Sequence, residues 1–224
     1  MNLAPARSWL TGLLLLVASA VPAFAQDVCE APRLLTPVGM PLARDGFAIV
    51  VADTRAAPSG EIALVRGRRR TPLARAEIMP GLVRYSATVR PGTYRLEGVS
   101  APSDIVVSSR ATRPAPAVAP VIRGARRVAR AALGSTTLEQ ELHIELGYPV
   151  PDRSVAARIQ WNESGEGGQW VPVVAGEAAI IVPVEPRCRA PGMTPAPSGA
   201  FTLRAAFIDA SGQVSAFSTS VQVD

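Results

Sequence analysis

The sequence has no lysine, one histidine (His143) and two cysteines (Cys29 and Cys188), and aromatic residues fill only 5% of its 224 positions. No binding chemistry requires lysine to be missing, so an all-arginine complement points to a GC-rich genome rather than to a task. The other scarcities exclude more. With a single histidine, no G-x-S-x-G, no phosphate-cradling glycine loop and no free low-pKa cysteine, little remains for nucleophilic or metal-assisted catalysis. Glycoside hydrolysis needs only two carboxylates, but an aromatic-poor chain of this size lacks the means to line an extended sugar cleft. The sequence therefore predicts a non-enzyme that needs no cofactor. Nucleic acid is excluded as a partner because no aromatic residues interleave with the arginine clusters.

The first residues predict export. Arg7 precedes an apolar stretch, Leu10 to Val21, and Ala23-Phe24-Ala25 supplies the small-x-small pattern of a cleavage site. Residues 1–25 are expected to leave as a signal peptide, giving a chain that begins at Gln26 and works in the periplasm or outside the cell. The apolar run is too short for a bilayer of about 30 Å, and no later stretch approaches the ~18 apolar residues of a spanning helix. No transmembrane segment is expected after cleavage. In an oxidising compartment Cys29 and Cys188 are expected to form one disulfide. A loop this long would gain about 5 kcal/mol in the chain-entropy model. Two cysteines alone cannot fill a structural zinc site.

Charge is unevenly spread. Residues 27–110 hold 12 arginines and 8 acids, whereas residues 121–224 hold 9 arginines and 10 acids. The positive field on the first half could attract an anionic surface and would be screened beyond about 10 Å at 0.1 M salt.

Between the halves, residues 110–120 read RATRPAPAVAP, a composition with nothing to bury that suits a semi-rigid polyproline linker. On either side the hydrophobic period is two. Phe47 to Ala52, Glu61 to Val65, Leu82 to Val89, Thr93 to Val99 and Ile105 to Ser108 read as strands before the linker. Leu138 to Leu146, Val155 to Trp161, Trp170 to Val174, Ala178 to Val184, Phe201 to Ile208 and Val214 to Val223 follow it. Strands every 8 to 12 residues with turn signals between them predict an all-β fold. The expected organisation is two small antiparallel β-sandwiches, at 26–109 and 121–224, joined by the linker at 110–120.

Phe201 to Val223, FTLRAAFIDASGQVSAFSTSVQV, pairs a strand ending at Asp209 with the turn Ala210-Ser211-Gly212-Gln213 and an alternating return. This resembles the closing hairpin of bacterial Ig-like and fibronectin-type-III-like domains. In the first half Pro37-x-Gly39, Phe47 to Ala52 and Pro91-Gly92-x-Tyr94-x-Leu96 resemble exported Ig-like sandwiches, including those of CopC-like copper proteins. The resemblance implies a fold and no activity. The histidine ligands of the copper family are missing: Gln26 stands at the expected new N-terminus, the first half has no histidine, and Met40 and Met79 are isolated. Two tandem Ig-like domains would also suit a pilus-type chaperone, but that family's cleft residues have no counterpart here.

Three features are candidate sites. Glu141, His143 and Glu145 alternate along one strand, about 6 to 7 Å between successive side chains. They could bind zinc or copper, with Glu139 as a further oxygen, or form an ordinary solvated sheet face. Arg66-Gly67-Arg68-Arg69-Arg70 reads as a hairpin tip. There Arg68, Arg69 and Arg70 could grip carboxylate or phosphate groups of an envelope polymer or protein. Arg126 and Arg127, with Arg123 and Arg130, form a second basic cluster past the linker. Trp161 falls in phase with the core positions Val155, Ala157 and Ile159, whereas Trp170 fits core or sugar stacking. The expected function is a non-catalytic interaction module of the cell envelope, with an envelope or surface protein as partner. The alternative is a metal or small-ligand carrier using the Glu141/His143/Glu145 face.

Overall fold

A computed structural model describes residues 32–44, 46–53, 61–101, 103–111, 118–131, 138–162, 167–185 and 190–224. The signal-peptide region, both cysteines and most of the linker lie outside the described residues. The fold is all-β, as the period-two patterning predicts, and of sandwich type. Residues 33–108 supply nine strands: β1 (Arg33–Leu34), β2 (Leu42–Ala43), β3 (Ala48–Ala52), β4 (Ala63–Arg66), β5 (Arg69–Pro72), β6 (Ala74–Met79), β7 (Leu82–Ser86), β8 (Gly92–Glu97) and β9 (Ser103–Ser108). Residues 122–223 supply β10 (Ile122–Ala131), β11 (Leu138–Leu146), β12 (Ser154–Trp161), β13 (Gly167–Pro172), β14 (Ala179–Pro183), β15 (Phe201–Asp209) and β16 (Val221–Val223). Among the described residues no sheet mixes strands from the two halves: the orders are β1-β3-β7-β6, β2-β9-β8-β4-β5, β10-β11-β14 and β13-β12-β15-β16.

Three apolar layers separate these four sheets. In β3, Ile49 and Val51 point into a cluster with Leu64, Val83, Leu96 and Ile105, closing the N-terminal pair of sheets. The intervening Val50 and Ala52 point the other way, into a second cluster. That cluster holds Met79 and Leu82 from the first half and Val155, Ala156, Trp170 and Ile208 from the second. The third layer, with Leu142, Ile144, Ile159, Trp161, Leu203 and Phe207, closes the C-terminal pair. Because alternate residues of a strand face opposite sides, β3 can serve two cores only if all its residues are apolar. Its five residues are all buried, which is what the uninterrupted sequence AIVVA provides.

Polar groups also bridge this seam between the halves. Thr36 Oγ1 donates to the Ala210 carbonyl at 2.9 Å and accepts from Val50 N at 2.8 Å. Trp170 Nε1 donates to the Pro80 carbonyl at 3.1 Å. Gly212, at φ +79°, lies where a Cβ would come 3.0 Å from Arg84 Cδ, so a side chain there would be strained and would have to push Arg84 aside. Arg158 and Gln160, outward in the sequence pattern, therefore face the seam rather than bulk solvent, and Gln160 is only 6% exposed. The alternation was read correctly, but the outer face of that sheet is partly covered by the other half.

Two other expectations need correction. Leu138, in phase with Leu142, Ile144 and Leu146, is 62% exposed because β11 extends beyond the core at that end. The return from Val214 to Val223 is not one strand, since regular pairing with β15 is limited to β16. In its place Ser215 and Ser218 stitch the segment to β15. Their hydroxyls accept from Phe207 N (2.9 Å) and Ala205 N (3.0 Å), and their own amides donate to Phe207 O and Ala205 O. A hydroxyl taking the place of a backbone carbonyl is the usual way serine competes with a ladder.

Where the linker leaves, the chain is tied down: the Tyr148 hydroxyl donates to the Ala119 carbonyl, and Gly147 N donates to Val121 O at 2.7 Å. Burial pushes the Tyr148 phenol above its ordinary value of 10.0. Above about pH 10 the unfolded chain gives up this proton before the folded one, so stability falls as pH rises. Tyr148→Phe is expected to flatten that alkaline loss, read from urea midpoints between about pH 9 and 11. An unchanged slope would contradict the assignment.

Candidate functional site

The β4–β5 hairpin turns on Gly67 and Arg68, and Gly67 sits at φ +59°. A glycine with positive φ at the first central position is the requirement of a tight type II′ hairpin. The arginines around it are held very differently. Arg66 Nη1 donates to the Pro91 carbonyl at 3.1 Å, and its guanidinium carbon stands 5.7 Å from the centre of the Tyr94 ring. Tyr94 is fixed in turn by its hydroxyl, which donates to Arg90 O at 2.7 Å. Arg70 pairs with Glu61 and approaches Glu97 at 3.9 Å. With Arg70 and Glu61 47% and 51% exposed, such a pair adds under about 1 kcal/mol. Its effect is to fix the base of the hairpin. Arg68 and Arg69 are exposed and have no partner among the described residues. Two cations thus project from a short, anchored tip.

Arg126 and Arg127 are not brought together as a patch. They are neighbours in one strand, so they point to opposite faces of β10. Arg127 donates to Pro197 O and, at 2.8 Å, to Gly199 O. Its guanidinium lies 5.5 Å from the centre of the Phe201 ring. It braces a loop against the core edge. Arg126 faces outward, opposite His143 in the β10–β11 register.

On that outer face His143 Nε2 is 3.3 Å from Glu141 Oε2, while Glu145 is exposed and lies opposite Gly124. Glu139 lies opposite Arg130. Opposite charges across adjacent strands are ordinary sheet pairing. Among the described residues no three histidine, aspartate or glutamate side chains gather in a way that could hold a metal ion. Cys29 and Cys188 lie outside the described residues.

A concavity opens at the seam between the halves. It encloses about 190 Å³ and is lined by Met79 and Pro80 from one half and by Arg158, Gln160, Gly168 and Gly192 from the other. Beside it two guanidiniums share one ring: Arg158 lies 5.3 Å and Arg204 4.6 Å from the centre of Phe217. Arg204 Nε donates to Gln160 Oε1 at 2.8 Å.

No family model matches the sequence, and neither does any curated protein. Among solved structures, the chain is similar to Bacteroides ovatus SGBP-B of a mixed-linkage glucan utilization locus, in complex with a mixed-linkage heptasaccharide. The identity is 15% over 82% of this chain, and the TM-score is 0.23. The match spans 42% of that protein's length. A likeness this slight transfers neither fold nor ligand.

Sequence reasoning found the hairpin tip through its charge run. It missed the Phe217 stack and the seam cleft, because Arg158, Arg204 and Phe217 lie on three separate segments with no shared motif. The one available signal was an arginine at an outward position of each of Val155–Trp161 and Phe201–Ile208. Trp161 is core, packed edge-on to Phe201 with ring centres 5.6 Å apart, and Trp170 belongs to the seam.

Proposed function

We propose that this chain is a non-catalytic binding module of the cell envelope that docks on an acidic protein surface through Arg68 and Arg69. The observation that carries this reading is the contrast within one hairpin: Arg66 and Arg70 are fixed by neighbours, and Arg68 and Arg69 are left exposed between them. Anchoring the base lowers the entropy lost when the tip engages a partner. Paired arginines grip carboxylates bidentately. The reading includes export by the N-terminal segment and two Ig-like sandwiches. Strand order supports the latter. Taken in sequence as A, A′, B, C, C′, D, E, F and G, the N-terminal strands group as A-B-E-D and A′-G-F-C-C′, and A-B-E-D with C-F-G is the immunoglobulin constant arrangement. The C-terminal strands group as A-B-E, with the fourth strand beside C.

The test is in-cell crosslinking of the tagged protein beside the double variant Arg68→Glu/Arg69→Glu. The wild type is expected to recover one dominant envelope protein. The variant should lose about tenfold or more of that recovery, with its melting midpoint unchanged because both side chains are exposed. Equal recovery by both would remove the hairpin from the interface, and recovery of an anionic polymer alone would replace the protein partner.

A further inference from the structure

Arg158 and Arg204 bring two positive charges to one aromatic ring, and no carboxylate among the described residues pairs with either. The two guanidiniums are no more than about 10 Å apart, within one Debye length at 0.1 M salt. Like charges gathered this closely at the rim of a concavity are a standing attraction for an anion.

Gln160 supplies the second, independent observation. Its side chain is more than nine-tenths buried and lines the cleft. Because Arg204 Nε can only donate, the amide oxygen must be the end that meets it. The amide nitrogen, with two donors, is then the end of the side chain left to meet a ligand. Arg158 and the Gln160 amide thus offer donors from the same strand to the same cleft. Arg204 is held by Gln160 and Phe217 and acts as a positioning residue.

We propose that the seam cleft binds a small carboxylate, with Arg158 as its charged partner and the Gln160 amide as a second donor. One lining cation and one neutral donor suit a monoanion better than a phosphate dianion, which collects more donors. The volume equals about six waters, well below a drug-sized site. The carrier is therefore the size of one residue, and Met79 and Pro80 give it an apolar wall. Two carriers have that chemistry, a sugar acid and the C-terminal residue of a peptide.

The experiment follows the indole N–H resonance of Trp170 by NMR, since that group is bonded to Pro80 at the cleft wall. Glucuronate, N-acetylalanine, the neutral amide of each, and inorganic phosphate are titrated into the full chain. A saturable shift with a carboxylate and none with its amide is the expected result. Arg158→Gln should weaken that affinity about tenfold or more, and Arg158→Lys should retain part of it. Response to glucuronate alone assigns a sugar acid, to N-acetylalanine alone a peptide terminus, and to both a site that reads only the carboxylate. No saturable shift with either carboxylate overturns the proposal, as does phosphate binding in their place. An affinity unchanged in Arg158→Gln overturns it too. Should Arg158→Gln fail to fold, Arg158→Lys with a titration at raised salt carries the test, and salt-independent binding is then the contrary result.

Discussion

Replacing Trp170 with alanine is expected to lower stability by about 3–5 kcal/mol, the range for removing a large aromatic side chain from a packed core. It should also split the urea unfolding transition in two. Trp170 is 8% exposed on β13, and its ring sits among Val50, Ala52, Met79 and Leu82 of the other half. Its indole N–H is satisfied across the seam by Pro80 O, so the substitution removes both packing and a hydrogen bond. Each pair of sheets keeps its own interior cluster. Loosening the seam should therefore uncouple the halves before it melts either. Trp170→Phe keeps one ring but loses the hydrogen bond and part of the buried surface, which predicts a smaller loss of about 1–3 kcal/mol. Far-UV circular dichroism over a urea series reads all three chains. A single transition displaced by less than about 1 kcal/mol in Trp170→Ala would mean that the seam contributes little.

The second large effect is expected at Asp209, which is 2% exposed at the end of β15. Its Oδ1 accepts from Ser211 N at 2.8 Å, Ser211 Oγ at 2.8 Å and Gln213 N at 2.9 Å. Its own backbone closes the same turn, with Gly212 N donating to Asp209 O and Asp209 N donating to Gln213 O. Asp209→Ala strands these side-chain-bound donors, and buried donors without acceptors cost about 1–3 kcal/mol each. A loss of about 3–4 kcal/mol is expected, because the Ser211 hydroxyl can rotate to another acceptor. Asp209→Asn preserves an oxygen at the Oδ1 position. It puts an amide at Oδ2, a buried atom with no partner among the described residues, so it should lose only about 1–2 kcal/mol. Thermal melts of both variants check the order. Asparagine as damaging as alanine would contradict the three-acceptance geometry.

The all-β class was legible because most strands have one polar face, so alternation shows in the residues themselves. Leu142, Ile144 and Leu146 set against Glu141, His143 and Glu145 is such a case. The seam was not legible. Val50 and Ala52 look like core in any reading, but nothing in AIVVA says that its two faces serve different cores. Trp170 was ambiguous for the same reason, since its partners are Pro80 and Leu82, some ninety positions earlier. The final strand misled because its alternation is genuine only from Ser218 to Val223. The serines at 215 and 218, three residues apart, fall in opposite phases of a strand, and both act by replacing ladder carbonyls. Of the candidate sites, the hairpin tip depends on local residues and was readable. The cleft depends on how the halves pack and was not. Arg126 and Arg127 show the converse, since adjacency in sequence put them on opposite faces of β10.

The most direct measurement is site-specific photocrosslinking in cells, with the crosslinker at exposed position 72, on β5 beside the hairpin tip, in one chain and at position 181 on the outer face of β14 in another. The docking account predicts one dominant envelope protein captured from position 72 and little or none from position 181. Capture from 181 with none from 72 would contradict it and place the partner on the β10-β11-β14 face.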